Sequence, residues 1–208
     1  MTFNNLGLPQ SLLELLNKEN YTHPYPIQQE AIPIVFKGKD VLGIAQTGSG
    51  KTASYVLPIL SALNHKQRAK DRQVDVLVLV PTRELAEQVK DVFNLFEKGI
   101  SNTVKTMAIY GGVSINPQMK ALFGVSVLVA TPGRLLDLVN SNAVHFDKLQ
   151  TLVLDEADKL LNLGFQDEMN QIFALLPKKR QNLLFSATLN EKVEEINQIL
   201  LQDPAVIN

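Results

Sequence analysis

Six short β-rich runs, at residues 41–45, 74–80, 104–109, 126–130, 151–154 and 182–185, alternate with stretches of helical length. Residues 76–80 and 152–154 are apolar at every position, as strands covered on both faces should be. Between runs, residues 83–96 place Leu85, Ala86, Val89, Val92, Phe93 and Phe96 on one stripe at helical spacing. Residues 132–139 and 190–200 also read as helices. Such alternation implies an α/β fold, a mostly parallel sheet with right-handed crossovers and helices on both faces. The 208 residues fit one domain, large enough to fold without disulfides or structural metal.

Composition narrows the function classes. There are no cysteines, which excludes thiol catalysis and Cys-ligated zinc and fits a reducing compartment. No apolar run reaches the ~18 residues of a membrane span, and residues 1–9 lack the features of a signal peptide. The expected location is the cytoplasm. Net charge is −1, so nucleic-acid contacts must come from local geometry rather than a global field. The polar stretch 64–73 and the run Lys178, Lys179, Arg180 read as solvated loops.

The segments just after the runs are more informative. Five runs lead into polar or Gly-rich clusters: Gln46–Thr52, Pro81–Glu84, Thr131–Arg134, Asp155–Asp158 and Ser186–Thr188. Open parallel sheets bind ligands at the carboxyl ends of their strands, and five clusters on one edge make a site.

In the first cluster, Gln46-Thr47-Gly48-Ser49-Gly50-Lys51-Thr52 comes after a strand and opens a helix near Gly50. Gly48 and Gly50 permit the backbone to turn successive N–H groups around a phosphate. The helix start adds free donors and the positive end of its dipole. Lys51 is placed for the β- and γ-phosphates and the Thr52 hydroxyl for Mg²⁺. The general phosphate-loop pattern has Gly where this chain has Ala45. Asp155-Glu156, about a hundred residues later, ends a second apolar strand. There a carboxylate holds Mg²⁺ in P-loop enzymes, and an adjacent Glu can orient and deprotonate water. Acids at a helix start are also stabilising in their own right. Beside a phosphate loop, however, the pair reads as Asp155 for the metal and Glu156 as the base, with Lys51 aiding the chemistry.

Asp155-Glu156-Ala157-Asp158 spells the name motif of the DEAD-box RNA helicases, and the remaining clusters resemble that family's motifs in order. Ala45 is usual in the family's phosphate loop. Pro81-Thr82-Arg83, Gly111-Gly112 and Thr131-Pro132-Gly133-Arg134 resemble its RNA-contacting motifs, and Ser186 with Thr188 its coupling motif. Phe3 and Pro24-Tyr25-Pro26-Ile27-Gln28 resemble its adenine-recognising segment, with Asn20-Tyr21 and Tyr25 departing from the usual residues. The resemblance implies a RecA-like ATP-binding domain over residues 31–208, preceded by an adenine-recognition segment over 1–30. It implies ATP and Mg²⁺ as ligands and RNA as partner. It also implies a second RecA-like domain with an arginine-rich motif. That motif is not in these 208 residues, so the chain reads as a fragment or an isolated domain, expected to be monomeric and nearly inactive alone.

By the same resemblance Gln28 contacts the adenine edge, with Tyr21 and Phe3 nearby. From the residues alone, Gln28 reads as a surface glutamine on a helix beginning near Pro26. Thr82 and Thr131 read as helix N-caps and Pro132 as a first helical residue, so that paired helix starts face phosphates without reading bases. Arg83 and Arg134 either contact RNA or tie motifs together. Two alternatives to unwinding stay open: an ATP-gated RNA clamp and a DNA-directed motor. The first testable consequence is base selectivity. A side-chain amide donates and accepts at once, which suits adenine and mismatches guanine. The chain is expected to bind ADP well ahead of GDP in a calorimetric titration, and Gln28→Ala to narrow that preference; equal affinities in the unsubstituted chain would refute it.

Overall fold

The computed structural model describes residues 2–64, 66 and 70–208. After a 3₁₀ turn at Phe3–Asn5, the order is α1 (Gln10–Lys18), α2 (Pro26–Phe36), β1 (Val41–Ile44), α3 (Lys51–Leu63), β2 (Val76–Leu79) and α4 (Arg83–Glu97). Next come β3 (Thr106–Ile109), α5 (Ile115–Ala121), β4 (Val127–Ala130), α6 (Pro132–Asn140), β5 (Thr151–Leu154) and α7 (Ala157–Asn162). The chain closes with α8 (Gln166–Leu175), β6 (Gln181–Ser186), α9 (Glu191–Leu200) and β7 (Ala205–Ile207). The strands form one seven-stranded sheet in the order β3-β4-β2-β5-β6-β1-β7. All of its pairings are parallel.

Alternation along each strand sorts the core into two layers. Val76, Val78, Val127, Val129 and Val153 face one side, where they pack with residues of α1 to α4. Leu77, Leu79, Leu128, Leu152, Leu154 and Leu184 face the other, packed with residues of α6 to α9. Valine forms one face of the central strands and leucine the other, which is why those strands read as unbroken apolar runs. Strands β1, β3 and β4 are a residue or two shorter than the runs suggest, β2 is three shorter, β5 matches and β6 is two residues longer. Val74, for example, leaves the ladder and donates to the His145 carbonyl. Edge strand β7, with Val206 exposed, is an addition to the sequence reading.

One polar knot lies at the amino ends of β1 and β6. The buried Asp40, just before β1, accepts from the Asn182 backbone N–H at 2.7 Å, from Asn182 Nδ2 at 3.2 Å and from the Gln202 N–H at 2.8 Å. Its own carbonyl accepts from the Ala205 N–H at 2.9 Å. One side chain thus sets β6 and the approach to β7 against β1. Arg180, which the sequence suggests is solvated, joins the knot by donating to Asn182 Oδ1 at 2.8 Å and to the Pro177 carbonyl. Within the stretch 64–73, residues 65 and 67–69 lie outside the described residues. Lys66 pairs with Asp75 at 2.6 Å, and Asp71 with Lys148 at 2.7 Å. No helix among the described residues is long and apolar enough to cross a membrane. Because Asp40→Ala strands three donors around a buried site, it is expected to lower the unfolding free energy by about 3 kcal/mol. Urea denaturation would measure this, and a change below about 0.5 kcal/mol would contradict the role given to Asp40.

Candidate nucleotide site and nucleic-acid face

Parallel pairing puts all the motif-bearing turns on the carboxyl edge, and the strand order divides them. The turns after β3, β4 and β2 carry Gly111-Gly112, Thr131–Arg134 and Pro81–Arg83. The ends of β5, β6 and β1 carry Asp155-Glu156, Ser186 and the phosphate loop. One half of the edge holds the residues expected at RNA, the other those expected at nucleotide. Backbone bonds continue past the strand ends and fasten neighbouring motifs together. The N–H of Asp155 donates to Leu79, that of Val80 to Ala130, that of Thr131 to Ile109 and that of Ala45 to Ser186, all at 3.0–3.1 Å.

A cleft of about 610 Å³ opens on the nucleotide half, lined among others by Tyr21, Tyr25, Gln28, Thr47, Gly48, Gly50, Lys51, Thr52, Asp155 and Glu156. Gly48 and Gly50 both sit at φ +85°, in the left-handed region. At Gly50 a side chain would also collide with the Gln28 amide and the Tyr25 ring. Gln28, far from being a surface glutamine, is 1% exposed. Its Oε1 accepts from the Tyr25 N–H at 3.0 Å and its Nε2 donates to the Gly50 carbonyl at 3.1 Å. The amide therefore already spans the start of α2 and the phosphate loop, and keeps one further hydrogen and lone pair for a ligand. The Gln46 carbonyl accepts from the Ser49 N–H at 3.2 Å and closes the loop's turn. The Ser49 hydroxyl is buried without a partner, which is uncommon for a polar group.

Lys51 is 6% exposed and donates to the Ala45 carbonyl, folded back on its own loop. Asp155 is 2% exposed. Its Oδ2 accepts from the Tyr55 hydroxyl at 2.8 Å and its Oδ1 from the Glu156 N–H at 2.9 Å. Burial pushes its carboxyl above the usual range, against the opposing pull of the Tyr55 hydrogen bond and the Lys51 charge. Glu156 holds a left-handed backbone, φ 53°, at the N-cap of α7. A non-glycine residue there is strained, as functional positions often are. Lys159 pairs with Glu156 Oε2 at 2.9 Å.

A hydroxyl (Thr52), a carboxylate (Asp155) and a loop of backbone donors suit Mg²⁺–nucleotide, because Mg²⁺ takes hard oxygen ligands and keeps several waters. Among the described residues no three His, Cys, Asp or Glu side chains cluster to hold a metal by themselves. Ser186 and Thr188 bind the acidic motif. Ser186 Oγ accepts from the Asp158 N–H at 3.3 Å and donates to the Thr188 carbonyl, while Thr188 Oγ1 donates to Asp158 Oδ2 at 3.0 Å.

Other expected site residues are placed differently. Phe3 does not line the cleft; it is 4% exposed in the apolar cluster with Leu6 and Leu8, where burial of an aromatic ring favours it. Thr82 caps α4 through the Leu85 N–H at 3.2 Å. Thr131 has the extended backbone of an N-cap, but its side chain makes no capping bond. Of the two arginines, Arg134 is 9% exposed, and its Nη2 donates to the Val113 carbonyl at 2.8 Å, tying α6 to the loop of Gly111-Gly112. Arg83 is exposed, with its guanidinium 4.8 Å from the centroid of the Tyr110 ring. Tyr110 in turn donates to Glu87 at 2.6 Å. Pro81 and Pro132 are buried, while Gly111 and Gly112 are exposed.

Tyr55 and Asp158 are absent from the sequence-derived site. Tyr55 is hidden in an apolar helix, and Asp158 stands last in a motif whose first two acids account for the expected chemistry.

A chain with this geometry resembles proteins already known. DEAD-box ATP-dependent RNA helicase CshA of Streptococcus pneumoniae is 43% identical over 205 residues, 98% of this chain and 38% of that protein. DEAD-box ATP-dependent RNA helicase RhpA of Helicobacter pylori is 40% identical over 208 residues, all of this chain and 41% of that protein. The crystal structure of a DEAD box protein from the hyperthermophile Methanococcus jannaschii superposes with a TM-score of 0.91 at 33% identity, over all of this chain and 55% of that one. The chain thus spans about two fifths of these curated relatives. The family model for DEAD/DEAH box helicases matches residues 25–196, the span from the Gln28 segment through Ser186–Thr188 into α9, and the chain belongs to that family.

Proposed function

We propose that this chain is the nucleotide-binding RecA-like domain of an ATP-dependent RNA helicase. With a second domain of the same protein it would couple ATP hydrolysis to local RNA duplex separation, acting as a monomer in the cytoplasm. The observation that carries this reading is the division of the carboxyl edge, with Lys51, Thr52, Asp155 and Glu156 around one cleft and the three RNA-type loops on the adjoining strands. Residues 1–30 supply Gln28 and Tyr21 toward adenine, with Tyr21 set edge-on to Phe96 at 5.3 Å.

In this reading Lys51 exchanges the Ala45 carbonyl for phosphate oxygens, and the backbone around Gly48 and Gly50 receives the phosphate chain. Mg²⁺, when bound, neutralises phosphate charge, with Thr52 and Asp155 as its protein ligands. Glu156 orients water and takes its proton. Thr82, Gly111, Gly112, Thr131 and Gly133 meet the RNA backbone, Arg83 adding charge, while Arg134 positions the Gly111-Gly112 loop. Recognition then follows the sugar-phosphate path and not base sequence. Ser186 and Thr188, bonded to Asp158, couple the two halves.

The test separates binding from chemistry. Lys51→Ala removes a charge-assisted bond worth about 2 kcal/mol and is expected to weaken nucleotide binding about thirtyfold. Glu156→Gln keeps the shape, so a full-length protein carrying it is expected to bind ATP normally and hydrolyse it about 10²-fold more slowly. Unchanged turnover in that variant would exclude Glu156 as the base. A second measurement concerns the partner domain. An arginine supplied from outside is worth roughly 10³- to 10⁵-fold in phosphoryl transfer. These 208 residues are therefore expected to bind nucleotide yet show no RNA-stimulated ATPase. A stimulation matching that of a two-domain protein would contradict the account.

A further inference from the structure

Helix α3 carries Lys51 and Thr52 in its first turn and Tyr55 one turn later, so Tyr55 lies three residues beyond Thr52 on the same face. Its side chain is fully buried. The ring packs against Phe185 with centroids 5.4 Å apart and against Phe93 at 6.5 Å. A phenylalanine would fill that space equally well. What tyrosine adds is a hydroxyl, and that hydroxyl donates to Asp155 Oδ2 at 2.8 Å. A buried phenol aimed out of an aromatic cluster at a buried carboxylate is a specific arrangement, because without it the carboxylate would lose one of its two donors and the phenol its acceptor.

The carboxylate gains an orientation from it. With Tyr55 on Oδ2 and the Glu156 N–H on Oδ1, both oxygens are held by one donor each and both keep lone pairs free. Remove the hydroxyl and Oδ2 loses its donor. The nearest opposite charge is then Lys51, whose field Asp155 already feels. A carboxylate free to turn toward Lys51 would occupy the ammonium needed for phosphate.

We propose that Tyr55 is a positioning residue for the metal-bound nucleotide: its hydroxyl fixes the Asp155 carboxylate in the orientation that meets Mg²⁺ and keeps it apart from Lys51. The inference rests on the reading of Asp155 as the carboxylate that holds Mg²⁺. Outer-shell partners of a ligating carboxylate act in this way, and their loss typically weakens metal affinity about 10- to 100-fold.

The experiment is a Mg²⁺ titration of ADP binding to the 208-residue chain by calorimetry, with ADP alone in EDTA as the metal-free arm. Four proteins are compared: the unsubstituted chain, Tyr55→Phe, Phe93→Leu and Asp155→Asn. Tyr55→Phe is expected to raise the Mg²⁺ concentration at half-effect about tenfold and, because the freed carboxylate competes for Lys51, to weaken ADP binding in EDTA to a lesser degree. Phe93→Leu disturbs the same aromatic cluster without touching the carboxylate; it is expected to lower the melting temperature and leave the Mg²⁺ midpoint where it was. The proposal is overturned if Asp155→Asn shifts the midpoint and Tyr55→Phe does not. It is equally overturned if Phe93→Leu shifts the midpoint as far as Tyr55→Phe, since the effect would then be one of packing. If Asp155→Asn itself leaves the midpoint unmoved, the assignment of the metal carboxylate falls and this proposal falls with it.

Discussion

Parallel pairing forces every strand to be succeeded by a crossover, and each crossover must begin at the same edge of the sheet. In this chain that constraint gathers turns as far apart in sequence as Gln46 and Thr188 onto one line. The strand order then decides who neighbours whom. Because β6 lies between β5 and β1, Ser186 stands between the acidic pair and the phosphate loop. Because β2 lies beside β5, the Pro81–Arg83 turn begins where the nucleotide half ends. None of these adjacencies depends on the loops themselves. They come from core strands buried on both faces, valines to one side and leucines to the other.

The polar groups at this edge are buried yet nearly all provided for. Lys51 holds the Ala45 carbonyl, Gln28 holds Gly50 and Tyr25, and Asp155 holds Tyr55 and the Glu156 N–H. An unpaired charge in such surroundings would be strongly destabilising. Two of these partners, the Ala45 and Gly50 carbonyls, are backbone groups of the loop itself, while the Tyr25 and Glu156 N–H groups and the Tyr55 hydroxyl belong to neighbouring elements. Among the described residues, the Ser49 hydroxyl and the Arg134 Nε and Nη1 are exceptions, buried with no hydrogen-bond partner. Fold stability and ligand affinity thus draw on the same donors and acceptors.

Much of this is legible in the sequence, and the failures have physical causes. The central strands announce themselves because burial on both faces leaves no polar position, and the phosphate loop because glycine is demanded where φ is positive. β7 gives no such signal: it is three residues long, on an edge, with Val206 facing solvent. Tyr55 sits among Ala53, Val56, Leu57 and Leu60, and a tyrosine in an apolar helix gives no sign of where its hydroxyl points. Gln28 and Arg134 mislead for the opposite reason. Polar side chains are read as exposed by default, whereas Gln28 is buried against the Gly50 carbonyl and Arg134 against the Val113 carbonyl and the Asp137 carboxylate. Phe3 is drawn toward the cleft by motif resemblance and by nothing in its own chemistry, which favours the core.

The same hydrogen bonds bear on how the two halves can communicate. Each motif is fastened to its neighbour by a backbone bond just beyond the strand ends, from Ala45 to Ser186, Asp155 to Leu79, Val80 to Ala130 and Thr131 to Ile109. Such a ladder holds the spacing of the loops, because sliding one strand end would break bonds on both of its sides. A packed sheet of this kind moves as a body and does not deform smoothly. On the function proposed above, a signal between the two halves of the edge would pass through groups able to change partner. The strained Glu156 with its Lys159 pair, and the Ser186–Thr188 turn on Asp158, are groups of that kind. They adjoin Asp155, and Thr188 is exposed. A change at Asp155 or Glu156 can reach the surface through that turn while the sheet beneath stays fixed.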